Sequence, residues 1–522
     1  MEVALPVCSA NEPAIHRLVD DILEYIFLLN ATHLSDLDSE DPPSVEVRLE
    51  HATTVASSKV CTRWRSIALN CHTIWGLIID YRRHSLKWIE TLLDRSSPSL
   101  LDFGSRIKSV YLTDLADDGQ GALELVFNRI DRLRIFNLYA PDSCWELVRS
   151  RFFQLQAPNL EFAHVFFIHM GGHLTHPLFD NHAPNLQNLR LLRCSVDFTS
   201  PVLTPLTELY VHTIAQENAL PVSDWLNILG RMPSLRWVTL VGAISGAPAN
   251  DISQVIHLGA LDMLSVDGPF HECVALVKNL IMPPRCGLRL RCNDAHLGFD
   301  QRQLWAIIEK KMDSWAKNAP NRHLIATGLY GFIAIGNLLR GSFGDKSEWA
   351  TEEREVNRRQ NQGLLDPVMT IKLYLSNPQD STLLFLSLLA LFERTFFNTT
   401  YLQLWINYDD EEAEVFLSLV DSFRGFVNLE KLYLVHQSLV KSLFPLLQQA
   451  NLVLLPVLKS LYFYGVTFGR SSDPILGLAD FLQWRREQGF PVQKIGIVSY
   501  RHRISRKFVL RHIQDTVVEM DD

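Results

Sequence analysis

One pattern, an apolar residue, two variable residues, an apolar residue, one variable residue and a third apolar residue, recurs along nearly the whole chain and constrains its fold more than any other feature. Its middle positions are Val110, Phe136, Ala163, Leu189, Leu209, Val238, Leu264, Leu288, Ile371, Leu402, Leu432, Leu461 and Ile495. The steps between them run from 20 to 34 residues, with one gap of 83 between Leu288 and Ile371. Each instance reads as one short strand, because alternate apolar residues point to one side of a strand. Several are announced by the same phrase: Ala157-Pro158-Asn159-Leu160, Ala183-Pro184-Asn185-Leu186, Met232-Pro233-Ser234-Leu235 and Leu455-Pro456-Val457-Leu458. Proline there stops a preceding helix, and the following leucine starts the strand.

One strand and one helix cannot bury an apolar face alone, whereas a dozen stacked copies share a continuous core. Helical stretches such as Trp225 to Met232 and Glu411 to Phe423 lie between the strands. The period matches leucine-rich repeats in most steps. The expected fold is therefore α/β: a small N-terminal helical domain, then a leucine-rich-repeat-like solenoid with a curved parallel sheet and helices on its convex side. An ordinary α/β domain with recurring strands is the alternative, since the asparagine ladder of stricter repeats is not evident. The expected boundaries are a flexible 1–14, a helical domain 15–81 with a polar insertion 31–50, a linker helix and first strand 82–105, repeats 106–513 and an acidic tail 514–522. Within the repeats, 296–365 is read as an irregular insertion: a helix Phe299 to Lys317, an apolar stretch Leu324 to Leu339 and a charged segment Gly341 to Gly363.

The helical segment carries the most specific signal. Leu18, Ile22, Ile26 and Leu29 fall on one helical face, widened by Leu23 and Phe27, and Val60, Trp64 and Ile67 form a second stripe. So small a bundle cannot conceal every large side chain, which leaves apolar surface for a partner. The sequences Leu18-Val19-Asp20-Asp21-Ile22-Leu23-Glu24-Tyr25-Ile26-Phe27 and Val60-Cys61-Thr62-Arg63-Trp64-Arg65-Ser66-Ile67-Ala68-Leu69, followed by Ile74-Trp75, resemble an F-box. They are most similar to fungal F-box proteins in which a leucine-rich-repeat-like region follows. Val19 stands where that family has proline and Asp21 where it has glutamate, and the spacer between the halves is long. The resemblance implies a substrate-recognition subunit of a Skp–cullin–F-box ubiquitin ligase. Its F-box docks on a Skp-type adaptor, and through it on cullin, while the repeats hold a protein substrate. Leu18, Ile22, Ile26, Phe27, Val60, Trp64 and Ile67 are then the expected adaptor contacts. The other reading is an interaction scaffold in which the F-box-like helices only cap the repeats.

Between the apolar positions of each strand lies a residue that points to the opposite, concave face. That row reads Tyr111, Asn137, His164, Arg190, Tyr210, Thr239, Ser265, Arg289, Lys372, Gln403, Tyr433 and Tyr462. Tyrosine and arginine are enriched at interface hot spots, which makes Tyr111, Arg190, Tyr210, Arg289, Lys372, Tyr433 and Tyr462 the expected substrate contacts.

Other functional classes find less support. With 49 Lys and Arg against 58 Asp and Glu, the net charge of −9 argues against a general nucleic-acid binder. The short run Arg501-His502-Arg503 reads as a solvated terminus. No apolar run approaches the roughly 20 residues of a membrane span. Eight cysteines without a C-x-x-C pair suggest reduced thiols, and with no secretion signal at the start the expected location is intracellular, cytoplasmic or nuclear. His169, His173, His176 and His182 are the one cluster with conceivable metal spacing, but no acidic or thiol ligand completes a shell. No phosphate-binding loop, dinucleotide fingerprint, nucleophile elbow or zinc-protease motif occurs. The expectation is a non-catalytic receptor without cofactor or metal.

Overall fold

The computed structural model describes residues 18–32, 53–81, 84–104, 110–112, 119–169, 172–213, 219–245, 254–283 and 286–292, then 307, 322–327, 332–335, 369–373, 399–405, 417, 419–421, 423–435, 437–449, 453–464, 473–498 and 517–521. The chain divides into two compact units, Met1–Asn218 and Ala219–Asp522. It is a mixed α/β protein whose strands are mostly parallel.

The first unit begins with helices α1 (Asp20–Thr32), α2 (Thr62–Asn70), α3 (His72–Leu77) and α4 (Leu86–Arg95). Their core is Phe27, Ala31, Ala68, Ile74, Trp75 and Leu92, with Trp64, Ile67 and Trp88 packed around it. Helix α2 starts because Cys61, in extended backbone, offers its sulfur to the Trp64 amide at 3.4 Å, satisfying a donor that the first turn leaves free. The indole N–H of Trp75 donates to the Ala68 carbonyl at 2.8 Å, so the largest buried ring leaves no polar atom unpaired. The Arg95 guanidinium closes the cluster, 4.8 Å from the Trp75 ring and 5.4 Å from Trp88.

The helices share their core with the strands that follow. Tyr81 meets Phe103 at 4.5 Å, and Phe103 meets Phe136 at 5.2 Å. Arg132 fixes the junction by donating to the carbonyls of Ser99 (2.8 Å) and Leu93 (3.2 Å) and to the Ser96 hydroxyl (2.8 Å). Strands β1 (Leu101–Phe103) and β2 (Val110–Tyr111) both lie parallel to β3 (Leu133–Ala140), which continues through β4 (Phe162–Phe167) and β5 (Asn188–Leu192) to β6 (Glu208–His212). Phe136, Ala163, Leu189 and Leu209 stand in register and are fully buried. Helix α5 (Gly119–Phe127) covers that face through Phe127, 5.5 Å from Phe136.

The second unit contains α6 (Val222–Gly230), β7 (Trp237–Val241), β8 (Ile256–His257), β9 (Met263–Gly268), α7 (Phe270–Lys278), β10 (Leu280–Ile281) and β11 (Gly287–Cys292). There follow β12 (Arg322–Thr327), β13 (Phe332–Ile335), β14 (Met369–Leu373), β15 (Thr399–Trp405), β16 (Lys431–Val435), α8 (Gln437–Gln449), β17 (Ser460–Tyr464), α9 (Asp473–Glu487), β18 (Lys494–Val498) and β19 (Val517–Asp521). Strands β7, β9, β11 and β14 run parallel, as do β12 and β15 to β19; β8 and β10 form a separate parallel pair.

The all-parallel expectation needs one correction. Strand β13 runs antiparallel to both β12 and β14. Residues 328–331 are too short a connection for a parallel crossover, which takes a dozen or more residues, so the apolar stretch beginning at Leu324 folds back on itself. The expected helix Phe299 to Lys317, apart from residue 307, and the charged segment Gly341 to Gly363 lie outside the described residues.

A single turn precedes strand after strand. The amides of Leu160, Leu186, Leu206, Leu235, Leu261 and Leu429 each donate to the carbonyl three residues earlier at 3.2 Å, and Leu458 does so at 3.1 Å. In the Ala-Pro-Asn-Leu, Met-Pro-Ser-Leu and Leu-Pro-Val-Leu phrases proline holds the second position of this turn, where its fixed φ fits; it shapes the turn as well as stopping a helix. Two asparagine rungs also appear. Asn159 Nδ2 donates to the Asp131 carbonyl at 2.6 Å and Asn185 Nδ2 to the Pro158 carbonyl at 2.8 Å, each tying one turn to the turn before it.

Candidate functional site

Helix α1 carries two apolar faces. Leu23, Phe27 and Ala31, four residues apart, are buried in the helical core, and the Phe27 ring meets Trp64 edge-on at 5.3 Å. Val19, Ile22, Tyr25 and Leu29 face outward, with Ile22 46% exposed. Leu18 and Ile26 are half-buried between the two faces. Val60, just before α2, is 57% exposed, and Trp64 and Ile67 are half-buried against the core. Arg63 brings the starts of α1 and α2 together, with its guanidinium 2.6 Å from the Asp20 carboxylate and a further bond to the Leu18 carbonyl. That contact sets the start of α1, where Val19 lies, beside the first turn of α2, which Val60 shortly precedes.

Of the seven expected adaptor contacts, Phe27 is therefore a core residue, only 1% exposed, and presents no surface. Its spacing of four from Leu23 assigns it to the inner face. Leu18, Ile22, Ile26 and Val60 keep apolar atoms at the surface, while Trp64 and Ile67 contribute edges. The Trp64 indole N–H is buried without an acceptor. Val19 and Tyr25, outside the expected set, belong to the outward face; their spacing of three from Ile22 was the available signal.

The open face of the strands holds the second candidate region. Asn137, His164, Arg190 and Tyr210 stand in register across β3 to β6, as alternation predicts. Thr239, Ser265 and Arg289 do so across β7, β9 and β11, and Gln403, Tyr433 and Tyr462 across β15 to β17. Two expected members are displaced by two residues. Tyr111 pairs with Tyr139 instead of Asn137, and Lys372 pairs with Arg291 instead of Arg289. A slip of two keeps the same face, so the alternation survives while the row is broken.

The row is less available than a sequence reading implies. Asn137 is buried, and Arg190, Tyr210 and Arg289 are half-buried. Arg190 pairs with Glu208 at 2.6 Å, and its guanidinium lies 5.5 Å from the Phe162 ring. Tyr433 and Tyr462 are 7% and 8% exposed and stack 4.2 Å apart with planes 7° from parallel. Gly496 makes this possible, since a Cβ there would stand 2.2 Å from the Tyr462 ring. Other cations beside the strands are matched too: Arg134 with Asp102 at 2.6 Å, Arg291 with Asp267 at 3.4 Å and Lys459 with Glu430 at 2.7 Å. The side chain of Lys372 lies outside the described residues.

His164 differs from its neighbours. Its Nε2 is buried with no hydrogen-bond partner, and burial, with Arg190 adding to it, pushes its pKa down to about 3. A neutral ring is thus held between Asn137 and Arg190. Two residues further along each strand, Tyr111, Tyr139 and Phe166 form a line of rings with successive centroid distances of 4.6 and 4.0 Å. Sequence reasoning missed Tyr139 and Phe166, which the alternation marks once β3 and β4 are given their full lengths.

In the histidine-rich segment, His173 Nδ1 lies 2.8 Å from the Ser195 hydroxyl, and His169, His176 and His182 are exposed. Among the described residues no group of His, Cys, Asp and Glu could hold a metal ion. Burial pushes the Cys71 thiol up to about 11 and the Cys194 thiol up to about 12, so neither is a ready nucleophile. No described helix is long and apolar enough to cross a membrane. No model of a known family matches the chain, and no curated protein matches it.

Proposed function

We propose that the chain is a substrate receptor of a Skp–cullin–F-box ubiquitin ligase, with the outward face of α1 and Val60 docking on a Skp-type adaptor and a leucine-rich-repeat-like solenoid holding a protein substrate. The observation that carries this reading is the double-sided α1. A helix that needed only to complete its own core would not place Val19, Ile22, Tyr25 and Leu29 on a second, solvent-facing side. The F-box-like sequence at these positions and the turn that recurs before seven of the strands support the two halves of the proposal. The chain would act by proximity: holding a substrate lysine near a charged conjugating enzyme raises its effective concentration without a catalytic group here. Reduced, intracellular surroundings suit its free cysteines.

A second reading has its own support. Burial of Phe27 and Trp75, and the continuity of the helical core with Phe103 and Phe136, suit helices that merely cap the strands of a scaffold. One experiment separates the two. Ile22→Asp with Val60→Asp, both at exposed positions, leaves the fold intact; co-purification with a Skp-type adaptor falls at least about tenfold if the face docks. Undiminished recovery of adaptor, or none with the unaltered chain, rejects the ligase reading in favour of the cap.

A further inference from the structure

Position 193 follows β5, and by alternation it belongs with Leu189 and Leu191 on the buried face of the sheet. The structure turns it the other way. Arg193 adopts φ 59°, a left-handed backbone that a long side chain enters at a cost, and its amide donates to the His212 carbonyl at 2.6 Å. Its guanidinium consequently lies 5.2 Å from the ring of Phe166, an open-face residue. Arg193, just past the end of β5, thus ends the line of Tyr111, Tyr139 and Phe166, which come from the neighbouring strands β2, β3 and β4.

Two facts set this arginine apart from the other cations of the first unit's strands. Arg134 and Arg190 are neutralised by Asp102 and Glu208, whereas Arg193 has no carboxylate partner among the described residues. Its Nε is also buried with no acceptor. A strained backbone, an unmatched charge and an unsatisfied donor converge on one guanidinium beside an aromatic shelf.

We infer that this shelf binds an extended protein segment in which an aspartate or glutamate side chain follows an aromatic or large apolar residue. The carboxylate pairs with the outer edge of the Arg193 guanidinium, and the apolar side chain lies on Tyr139 and Tyr111. A single unmatched cation suits one negative charge; phosphate recognition draws on clustered arginines, and the nearby Arg190 already spends its charge on Glu208. A chain-terminal carboxylate is a poorer fit, because such groups are caught by free backbone amides and the Arg193 amide is already engaged. The inference deepens the receptor reading by naming the substrate class, and rests on that reading only for the bound protein being a ligase substrate.

The test uses the full chain without adaptor, so failure to bind peptide and failure to capture adaptor are separate results. Fluorescence anisotropy is measured with three short fluorescein-labelled peptides that share a tryptophan and differ at the next residue: glutamate, glutamine or phosphoserine. The glutamate peptide binds about tenfold tighter than the glutamine one, and Arg193→Gln removes the difference. Tyr139→Ala weakens both. Arg193→Gly also removes the preference while leaving the melting temperature unchanged or higher, since glycine accepts the left-handed backbone freely. A purely structural arginine would instead lower the melting temperature in Arg193→Gly. That result, equal binding of glutamate and glutamine peptides, a preference for phosphoserine, or no binding at all overturns the inference.

Discussion

The outward side of α1 and the open face of the strands are solvent-facing surfaces of opposite character. At the start of α1 and along it, the apolar side chains of Val19, Ile22 and Leu29 stay largely exposed. The strands do the reverse. Their open-face residues are polar or aromatic, yet each covers the next: Tyr433 on Tyr462, Arg190 on Glu208 and Phe162, Tyr139 on Phe166. A stacked strand has a neighbour about 4.8 Å away on which to lean, so even an outward side chain can be half-buried. A short helix lacks such a regularly spaced neighbour, and the outward side chains of α1 stay more exposed. Exposed apolar area is therefore what the proposed docking face on the helical segment rests on, while beside the strands the distinguishing feature is Arg193, just past β5, whose buried Nε has no acceptor.

The largest effect should come from reversing the roles of inside and outside in the helices. Trp75→Ala removes a fully buried ring and its bond to the Ala68 carbonyl, and should cost about 3–5 kcal/mol in urea or thermal unfolding. Ile22→Asp, on the same bundle, should change stability by less than about 0.5 kcal/mol. If the two substitutions destabilise equally, the outward face is not free surface and the contrast with the strands collapses.

A pH effect follows from His164. Its pKa falls from the usual 6.5 to about 3, chiefly through burial. The unfolded chain therefore binds a proton more readily than the folded one between these values, and the histidine weakens folding as pH drops through that window. Above about pH 6.5 it contributes no pH dependence; below, it removes up to about 1.4 kcal/mol per pH unit. His164→Gln, neutral throughout, should show a shallower loss of stability between pH 6.5 and 5 than the parent chain, measured as the difference of two urea titrations. Parallel pH profiles would mean that the ring is reached by water and that the open face of β4 is as solvated as the sequence pattern suggests.

These contrasts also show what the sequence could reveal. The strands, their parallel order and the buried residues Phe136, Ala163, Leu189 and Leu209 were legible because alternation fixes faces locally. Register was legible only where neighbouring repeats have equal offsets; at Tyr111 and Lys372 a two-residue slip left the faces correct and the row wrong. The apolar residues of α1 were legible as helical, but not their division between Phe27 inside and Ile22 outside, which depends on where α2 and α3 pack. Arg193 was invisible, because a single left-handed residue overrides alternation and nothing in the residue type announces it. The reversed strand β13 could have been suspected from the few residues between its apolar run and the preceding one.

The smallest predicted effect joins the two surfaces most tightly to mechanism. Arg63 and Asp20 form an exposed ion pair, and such pairs contribute about 0.5 kcal/mol, so Arg63→Ala should barely move the unfolding midpoint. Arg63 also holds the Leu18 carbonyl, and with it the angle at which α1 begins beside Val60. If α1 and Val60 present one surface to an adaptor, misaligning them should lower capture several-fold while stability stays nearly constant, since contacts bound simultaneously depend on their relative placement. Asp20→Asn, which weakens the ion pair but leaves the bond to Leu18, should give a smaller loss than Arg63→Ala. Equal capture by all three chains would mean that Ile22 and Val60 act as independent exposed residues, and the helical segment would then present separate apolar spots instead of a single docking face.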